Sequence, residues 1–235
     1  MQVDIKIGDS LTVMRELPDE SQELIFTSPP YNLREKGIGS FPSKSGTWSN
    51  AKLKDGYPAH SDDLPYEDYR EWQQECLREM WRLLAPNGAI FYNHKPRLKK
   101  NRLWHPLELN PDLPLRQIVI WYRNAGYNFH PRAFCNVHEY ILIFAKPEWR
   151  MAKGKRGLPD VWSVPPARDN DHPAPFPVEL PARAIEACAP KTVFDPFCGS
   201  GTTGVAAKLA GVGVFTGIEL YEPYAAEAKA RIETY

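Results

Sequence analysis

Short apolar runs alternate with amphipathic stretches along nearly the whole chain, and this alternation restricts the fold more than any other feature of the sequence. Apolar, β-rich runs occupy Val3 to Ile7, Leu24 to Thr27, Ala89 to Tyr92, Gln117 to Tyr122, Tyr140 to Ala145, Thr192 to Asp195 and Val214 to Glu219. Between Pro65 and Ala85, Tyr69, Trp72, Cys76, Met80, Leu83 and Leu84 recur at three- and four-residue steps, and Pro86-Asn87-Gly88 stops that helix. Shorter helices are predicted from Ser10 through Leu17, up to Cys188 with Pro181 in the first turn, from Thr202 to Ala210 and from Pro223 to Ile232. No helical pattern separates the runs 117–122 and 140–145, which predicts antiparallel neighbours. The expected fold is α/β: a seven-stranded, mostly parallel, doubly wound sheet with one antiparallel pair. Ligands in such sheets bind beyond the carboxyl ends of the strands, so the residues just after each run are the ones to inspect.

Four of these strand ends carry chemistry. Asp195-Pro196-Phe197-Cys198-Gly199-Ser200-Gly201-Thr202 ends a strand in an acid and opens a helix with a Gly-Ser-Gly turn. Glycines allow close backbone approach to a ligand, and a helix start favours an anionic group. The turn lacks the lysine of a phosphate-binding P-loop and the full GxGxxG spacing, and as a bare turn it is also common in loops. Glu219 closes the next strand, where an acid can accept both hydroxyls of a ribose; an ordinary surface Glu is the plainer reading. Asp9 follows the first strand and is able to accept from an adenine amino group. At Thr27-Ser28-Pro29-Pro30-Tyr31 two prolines stiffen the turn and remove two amide donors, leaving carbonyls and the Ser28 hydroxyl to accept from a planar group bearing NH₂. A Pro-Pro strand exit with a buried Tyr accounts for the same residues without a ligand.

Bulk properties narrow the class. A chain of 235 residues suits one sizeable domain. It has no apolar run of the roughly 18–20 residues a membrane span needs, and its first residues do not read as a secretory signal. Cys76, Cys135, Cys188 and Cys198 form no CxxC pair, and the histidines show no ligand spacing. Reduced thiols in a cytoplasmic compartment and no metal site are therefore expected. The net charge is zero, yet residues 92–156 hold thirteen basic and four acidic side chains. With Trp104, Trp121, Tyr122 and Trp149 interleaved, this block suits a polyanion. A solvated basic face is the alternative.

Taken together, the motifs resemble those of the S-adenosylmethionine-dependent DNA amino-methyltransferases, in the permuted order called the β group, over nearly the whole chain. Thr27 to Tyr31 is similar to their catalytic motif, Asp195 to Thr202 to their methionine-binding loop, and His172 to Ile185 to the helix-start motif that precedes it. Glu219 falls on the family's ribose-binding acid and Asp9 on its adenine-side acid. The resemblance thus implies S-adenosyl-L-methionine as cofactor, held by Asp9, His172, Phe176, Pro177, Asp195, Phe197, Cys198, Gly199, Ser200, Gly201, Thr202 and Glu219. Ser28, Pro29, Pro30 and Tyr31 are implied as the catalytic set, acting on a base flipped from duplex DNA.

Ser-Pro-Pro-Tyr preceded by Thr, and Phe176-Pro177 followed by Leu180-Pro181, are similar to the cytosine-N4 members. Adenine-N6 members usually begin the first motif with Asp or Asn, and they are the alternative. A catalytically inactive nucleic-acid-binding module is a further one, as is a docking protein using the proline-rich segments. Within one domain spanning 1–235, residues 32–64 are expected to form a DNA-contacting lid and 147–166 a short target-recognition segment. Lys95, Arg97, Lys99, Lys100, Arg102, Arg150, Lys153, Lys155 and Arg156 are the expected nucleic-acid contacts. Duplex DNA, a second copy of the chain and a cognate restriction endonuclease are the partners this reading allows.

Overall fold

Eight strands form the central sheet of the computed structural model, which describes residues 1–32, 63–99, 102–124, 126, 132–167 and 176–235. The strands are β1 (Gln2–Ile7), β2 (Gln22–Thr27), β3 (Leu84–His94), β6 (Leu115–Tyr122), β7 (His138–Ala145), β8 (Val161–Ser163), β9 (Thr192–Asp195) and β10 (Val214–Glu219). Two further strands, β4 (Arg97–Lys99) and β5 (Arg102–Trp104), make a separate hairpin, followed by a 3-10 turn at Pro106–Leu109. Across the sheet the order is β1-β10-β9-β2-β3-β7-β6-β8. Only β7 runs against the rest, antiparallel to β3 as well as to β6.

The structure corrects two details of the expected sheet. The eighth strand is β8, whose three residues are too few to show a period; it pairs in parallel with β6, Ile120 opposite Val161, and buries Trp162. The second antiparallel pairing, β3 with β7, joins strands far apart in sequence, Phe91 opposite Ile143.

Five helices cover the two faces: α1 (Ser10–Glu16), α2 (Tyr66–Leu83), α3 (Glu179–Cys188), α4 (Thr202–Leu209) and α5 (Glu222–Thr234). The period of two in β2 assigns the faces. Leu24 and Phe26 pack with Leu180 and Ala184 of α3, Val205 of α4 and Ile232 of α5, whereas Ile25 packs with Met14 of α1 and Leu77 and Met80 of α2. All of these are fully buried. Each of these side chains larger than alanine contributes roughly 1.5–3 kcal/mol, so the sheet is fixed from both sides and its carboxyl edge is a rigid platform.

The chain order reverses between β9 and β2. From β9 the chain proceeds outward through β10, and β1 lies beyond it; from β2 it proceeds the other way to β3. At such a reversal the connections leave in opposite directions, and a crevice opens at the carboxyl ends of the two strands.

Candidate active site

That crevice collects all four chemistry-bearing strand ends. Because β1, β10, β9, β2 and β3 are adjacent and parallel, Asp9, Glu219, the Asp195–Gly201 bend and the Ser28–Tyr31 corner lie along one edge in that order. Thr27 Oγ1 donates to Asp195 Oδ1 at 2.7 Å across the reversal, and Ser10 Oγ donates to the Pro196 carbonyl at 2.6 Å. Proline corner and glycine bend therefore share one cleft.

On the glycine side the backbone does the shaping. Gly199 and Gly201 adopt positive φ, +51° and +77°. A Cβ on Gly201 would stand 3.0 Å from the Cβ of Ala228, so only glycine fits the bend here. The Glu219 carboxylate accepts from the amides of Gly199 (2.9 Å, Oε2) and Tyr221 (3.0 Å, Oε1). Each oxygen keeps a lone pair, which leaves a fixed two-pronged acceptor for vicinal hydroxyls. Asp9 caps α1 through Oδ1, which accepts from the amide and the hydroxyl of Thr12.

Asp195 is wholly buried and accepts from Thr27, from Thr203 Oγ1 (2.6 Å) and from the Phe197 amide (3.1 Å). Burial outweighs these three donors and raises its pKa from 3.8 to about 6. Ser200 and Thr202 face inward, where Arg231 of α5 donates to the Ser200 carbonyl and to both hydroxyl oxygens. Cys198 is buried, and burial pushes its thiol pKa well up, which favours the neutral thiol packed among apolar neighbours. Phe197 meets the edge of Trp72, and Phe176 lies 5.5 Å from Phe26, just below Thr27. Pro177 accepts from the Leu180 amide at the start of α3.

Opposite, the corner is held from beneath by α2. The Pro30 carbonyl accepts from Tyr69 Oη and Gln73 Nε2, and Gln73 Oε1 accepts from Tyr92. Tyr69 Oη also lies 2.7 Å from His94 Nε2, while His94 Nδ1 faces the Lys95 carbonyl at 2.9 Å. Burial lowers the His94 pKa to about 3, so the ring is neutral, with its proton on Nδ1 toward that carbonyl; Nε2 is then an acceptor and shares the one Tyr69 proton with the Pro30 carbonyl. Arg97 of the hairpin donates to the carbonyls of Tyr31 (2.5 Å) and Asn32 (2.6 Å). The Asn32 carboxamide turns to the Leu64 carbonyl. By contrast, the carbonyl of Pro29 meets no donor among the described residues. Tyr31 rests against His94 and walls a pocket of rings that includes Tyr66, Trp104 and His105.

Several of these groups were not singled out in the sequence. Asn93, His94 and Glu139 converge beside Tyr31, although they come from β3 and β7. Their one sequence signal is a polar residue at the end of an otherwise apolar run: Asn93-His94 after Ala89 to Tyr92, and His138-Glu139 before Tyr140 to Ala145. Tyr69 and Gln73 carry the hydrogen bonds of a helix face that reads simply as core.

The expected nucleic-acid contacts divide between the two edges of the sheet. Lys95, Arg97, Lys99 and Arg102 follow β3 at the carboxyl edge, beside the cleft; Arg102 also pairs with Glu108 at 2.7 Å. β7 then returns the chain to the amino edge, where the Lys146 amide bonds the Gly88 carbonyl and the Ala152 amide bonds the Ala187 carbonyl at the end of α3. Arg150, Lys153, Lys155 and Arg156 lie there, Lys155 paired with Glu186 at 2.5 Å. His172, Lys100, the side chain of Lys99 and residues 33–62 of the expected lid are outside the described residues. Among the described residues no group of His, Cys, Asp and Glu could hold a metal ion, and no helix is long and apolar enough to cross a membrane.

A family model for N6/N4 methyltransferases, described as DNA methylase, matches residues 23–230, which include the corner, the bend and Glu219. The chain belongs to this DNA methylase family. Among related proteins of this kind, Type II methyltransferase M.BglII of Bacillus subtilis is 27% identical over 244 residues, covering 86% of this chain. The match spans 61% of M.BglII's own length. Among solved structures, TTHA0409 of Thermus thermophilus, complexed with S-adenosyl-L-methionine, aligns with a TM-score of 0.65 at 26% identity, covering all of this chain and 95% of that one. The cytosine-N4-specific PvuII DNA methyltransferase aligns with a TM-score of 0.72 over 98% of this chain and 86% of its own; at 20% identity this likeness concerns the fold.

Proposed function

We propose that this DNA methylase transfers a methyl group from S-adenosyl-L-methionine to the exocyclic N4 of cytosine in duplex DNA, by direct displacement on a flipped base. The observation that carries the proposal is the Thr27–Asp195 hydrogen bond, 2.7 Å long, which holds an amine-accepting corner and a glycine bend in one crevice. The complex of TTHA0409 with S-adenosyl-L-methionine supports the cofactor.

The chain's residues fit that cofactor. Glu219 presents two acceptor oxygens to a ribose, Asp9 stands beyond it on the adenine side, and the Gly199–Gly201 backbone admits the methionine portion against the sheet edge. When bound, S-adenosyl-L-methionine supplies an electrophilic methyl on a sulfonium.

The corner handles the amine. Ser28 Oγ and the Pro29 carbonyl take one amino hydrogen each, and their acceptor dipoles favour the positive charge that grows on nitrogen as it attacks. Conjugation makes an exocyclic amine a weak nucleophile, so fixed acceptors matter more than basicity. Pro30, tied to Tyr69 and Gln73, keeps the corner from swinging. The Tyr31 ring offers its plane to the extruded base, whose flipping costs a few kcal/mol. Lys95 and Arg102, at the same edge, meet the DNA backbone. Cytosine is preferred to adenine on the Ser-Pro-Pro-Tyr and Phe176-Pro177 motifs.

Incubation with mixed-sequence duplex DNA, digestion to nucleosides and mass spectrometry test the proposal. N4-methylcytosine is expected. N6-methyladenine would overturn the choice of base and retain the amine chemistry, whereas unmodified DNA would overturn the reading as a whole.

A further inference from the structure

A single phenol links Ser28 to a buried carboxylate. Tyr31 Oη lies 2.7 Å from Ser28 Oγ, 3.1 Å from Asn93 Oδ1 and 3.2 Å from Glu139 Oε2. The last two atoms are acceptors, so the one Tyr31 proton is spent on them, and Ser28 must be the donor in its bond to Tyr31. Both lone pairs of Ser28 Oγ then remain for hydrogens arriving from the cleft. Glu139 is only 5% exposed and is fixed by Arg123 at 2.7 Å and by Asn93 Nδ2 at 3.4 Å. Such a burial needs a reason, since a carboxylate taken out of water is costly and β7 otherwise buries apolar residues here.

We infer that Ser28, Tyr31 and Glu139 form a proton relay, with Glu139 as the terminal acceptor of the proton that the target amine loses on methylation. The inference rests on the amine-methylation reading above. In the step, the amine nitrogen bonds the methyl carbon while the carbon–sulfur pair leaves on sulfur, and the positive charge passes to nitrogen. One N–H proton then moves to Ser28 Oγ, the Ser28 proton moves to Tyr31 Oη, and the Tyr31 proton moves to Glu139 Oε2. The products are a neutral methylamino base and a protonated Glu139. An alkylated amine on an electron-poor ring is a strong acid, and a carboxylate can take its proton. After product release the proton returns to solvent by the reverse path. Tyr31 serves twice, its ring toward the base and its hydroxyl in the relay, while Glu139 and Asn93 position that hydroxyl.

The test uses the whole chain with cofactor and duplex DNA, comparing Y31F, E139Q, E139D and the double variant Y31F/E139Q. Each of Y31F and E139Q is expected to slow single-turnover methylation by about tenfold or more with DNA and cofactor affinity unchanged, the scale of losing one proton-accepting partner in the transition state. E139D should recover part of the rate, and the double variant should be no slower than the slower single one, because both cut the same chain. The solvent deuterium isotope effect of the wild type should change in both variants. Without cofactor or DNA, carbon-13 NMR of labelled tyrosine Cζ should show the Tyr31 resonance, identified by its absence in Y31F, moving in E139Q. Variants at full rate, multiplicative losses in the double variant, or an unmoved Tyr31 resonance would each overturn the relay. A wild type that methylates no base would instead overturn the parent reading, and the relay with it.

Discussion

Ser28 and Asp195 stand on opposite sides of one cleft, and each permits a sharp test. Ser28→Ala removes one acceptor while leaving the glycine bend untouched. Cofactor affinity by calorimetry should stay close to wild type, and methyl transfer should fall by about tenfold or more, the scale of one transition-state hydrogen bond. Asp195 is a matter of stability against pH. Its folded pKa of about 6 stands above its ordinary 3.8, so its contribution is full below the lower value and is lost as pH rises through the upper one. Two pKa units correspond to roughly 2–3 kcal/mol. Asn at 195 does not titrate, so in urea denaturation the stability of the wild type relative to Asp195→Asn should fall by about that amount from pH 4 to pH 7. A constant difference would mean that Asp195 ionises in the fold as readily as out of it. His94 works in the other direction: held neutral down to about 3, it withdraws stability as pH falls from its ordinary 6.5. Ser28 and Asp195 were legible because they sit in recognisable strings of residues. Glu139, Asn93 and His94 were not, since what unites them is the pairing of β3 with β7, set by strand register rather than by spacing.

At the scale of elements, glycine in α4 shows how a helix that looks weak is demanded by its neighbours. Gly204 lowers helix propensity, yet a Cβ there would fall 2.3 Å from Ile232 Cδ1 and 2.6 Å from Phe215 Cε1, both in fully buried side chains. Gly204→Ala should therefore cost about 1–3 kcal/mol by overpacking, despite the better propensity of alanine. Since α4 begins with Thr202 and carries Thr203, which donates to Asp195, the same change should weaken cofactor binding; thermal denaturation and calorimetry would measure the two effects. Unchanged stability would show that α5 yields. Helix positions and most strands were readable from periodicity because two-sided burial imposes a strict pattern. β8 was not, for three residues cannot display one, and its place is fixed by the burial of Trp162 and the Trp121 indole bonding the Val164 carbonyl.

For the molecule as a whole, the basic block that looks continuous in sequence is cut in two by β7. Eight residues of strand move the chain by about 25 Å, from the edge that bears the cleft to the opposite one. DNA held at the cleft should feel Lys95 but not the distant group. Lys95→Gln should lower the slope of log affinity against log salt by about one, while neutralising Arg150, Lys153, Lys155 and Arg156 together should leave it unchanged. Equal losses from both would place DNA across both edges. Proximity along the chain is not proximity in space here, because a reversed strand carries neighbours in sequence to opposite ends of the sheet. The pairing of β2 with β9, Leu24 opposite Val193, has a consequence for manufacture. On a ribosome adding about 5–20 residues each second, one flank of β2 waits on the order of ten to thirty seconds for its mate. Leu24, Ile25 and Phe26 stand half-covered in that interval, an invitation to chaperones and to aggregation. A nascent polypeptide thus owns the proline corner long before the glycine bend, and synthesis broken off before Thr192 yields a fragment that lacks the bend and Glu219 altogether.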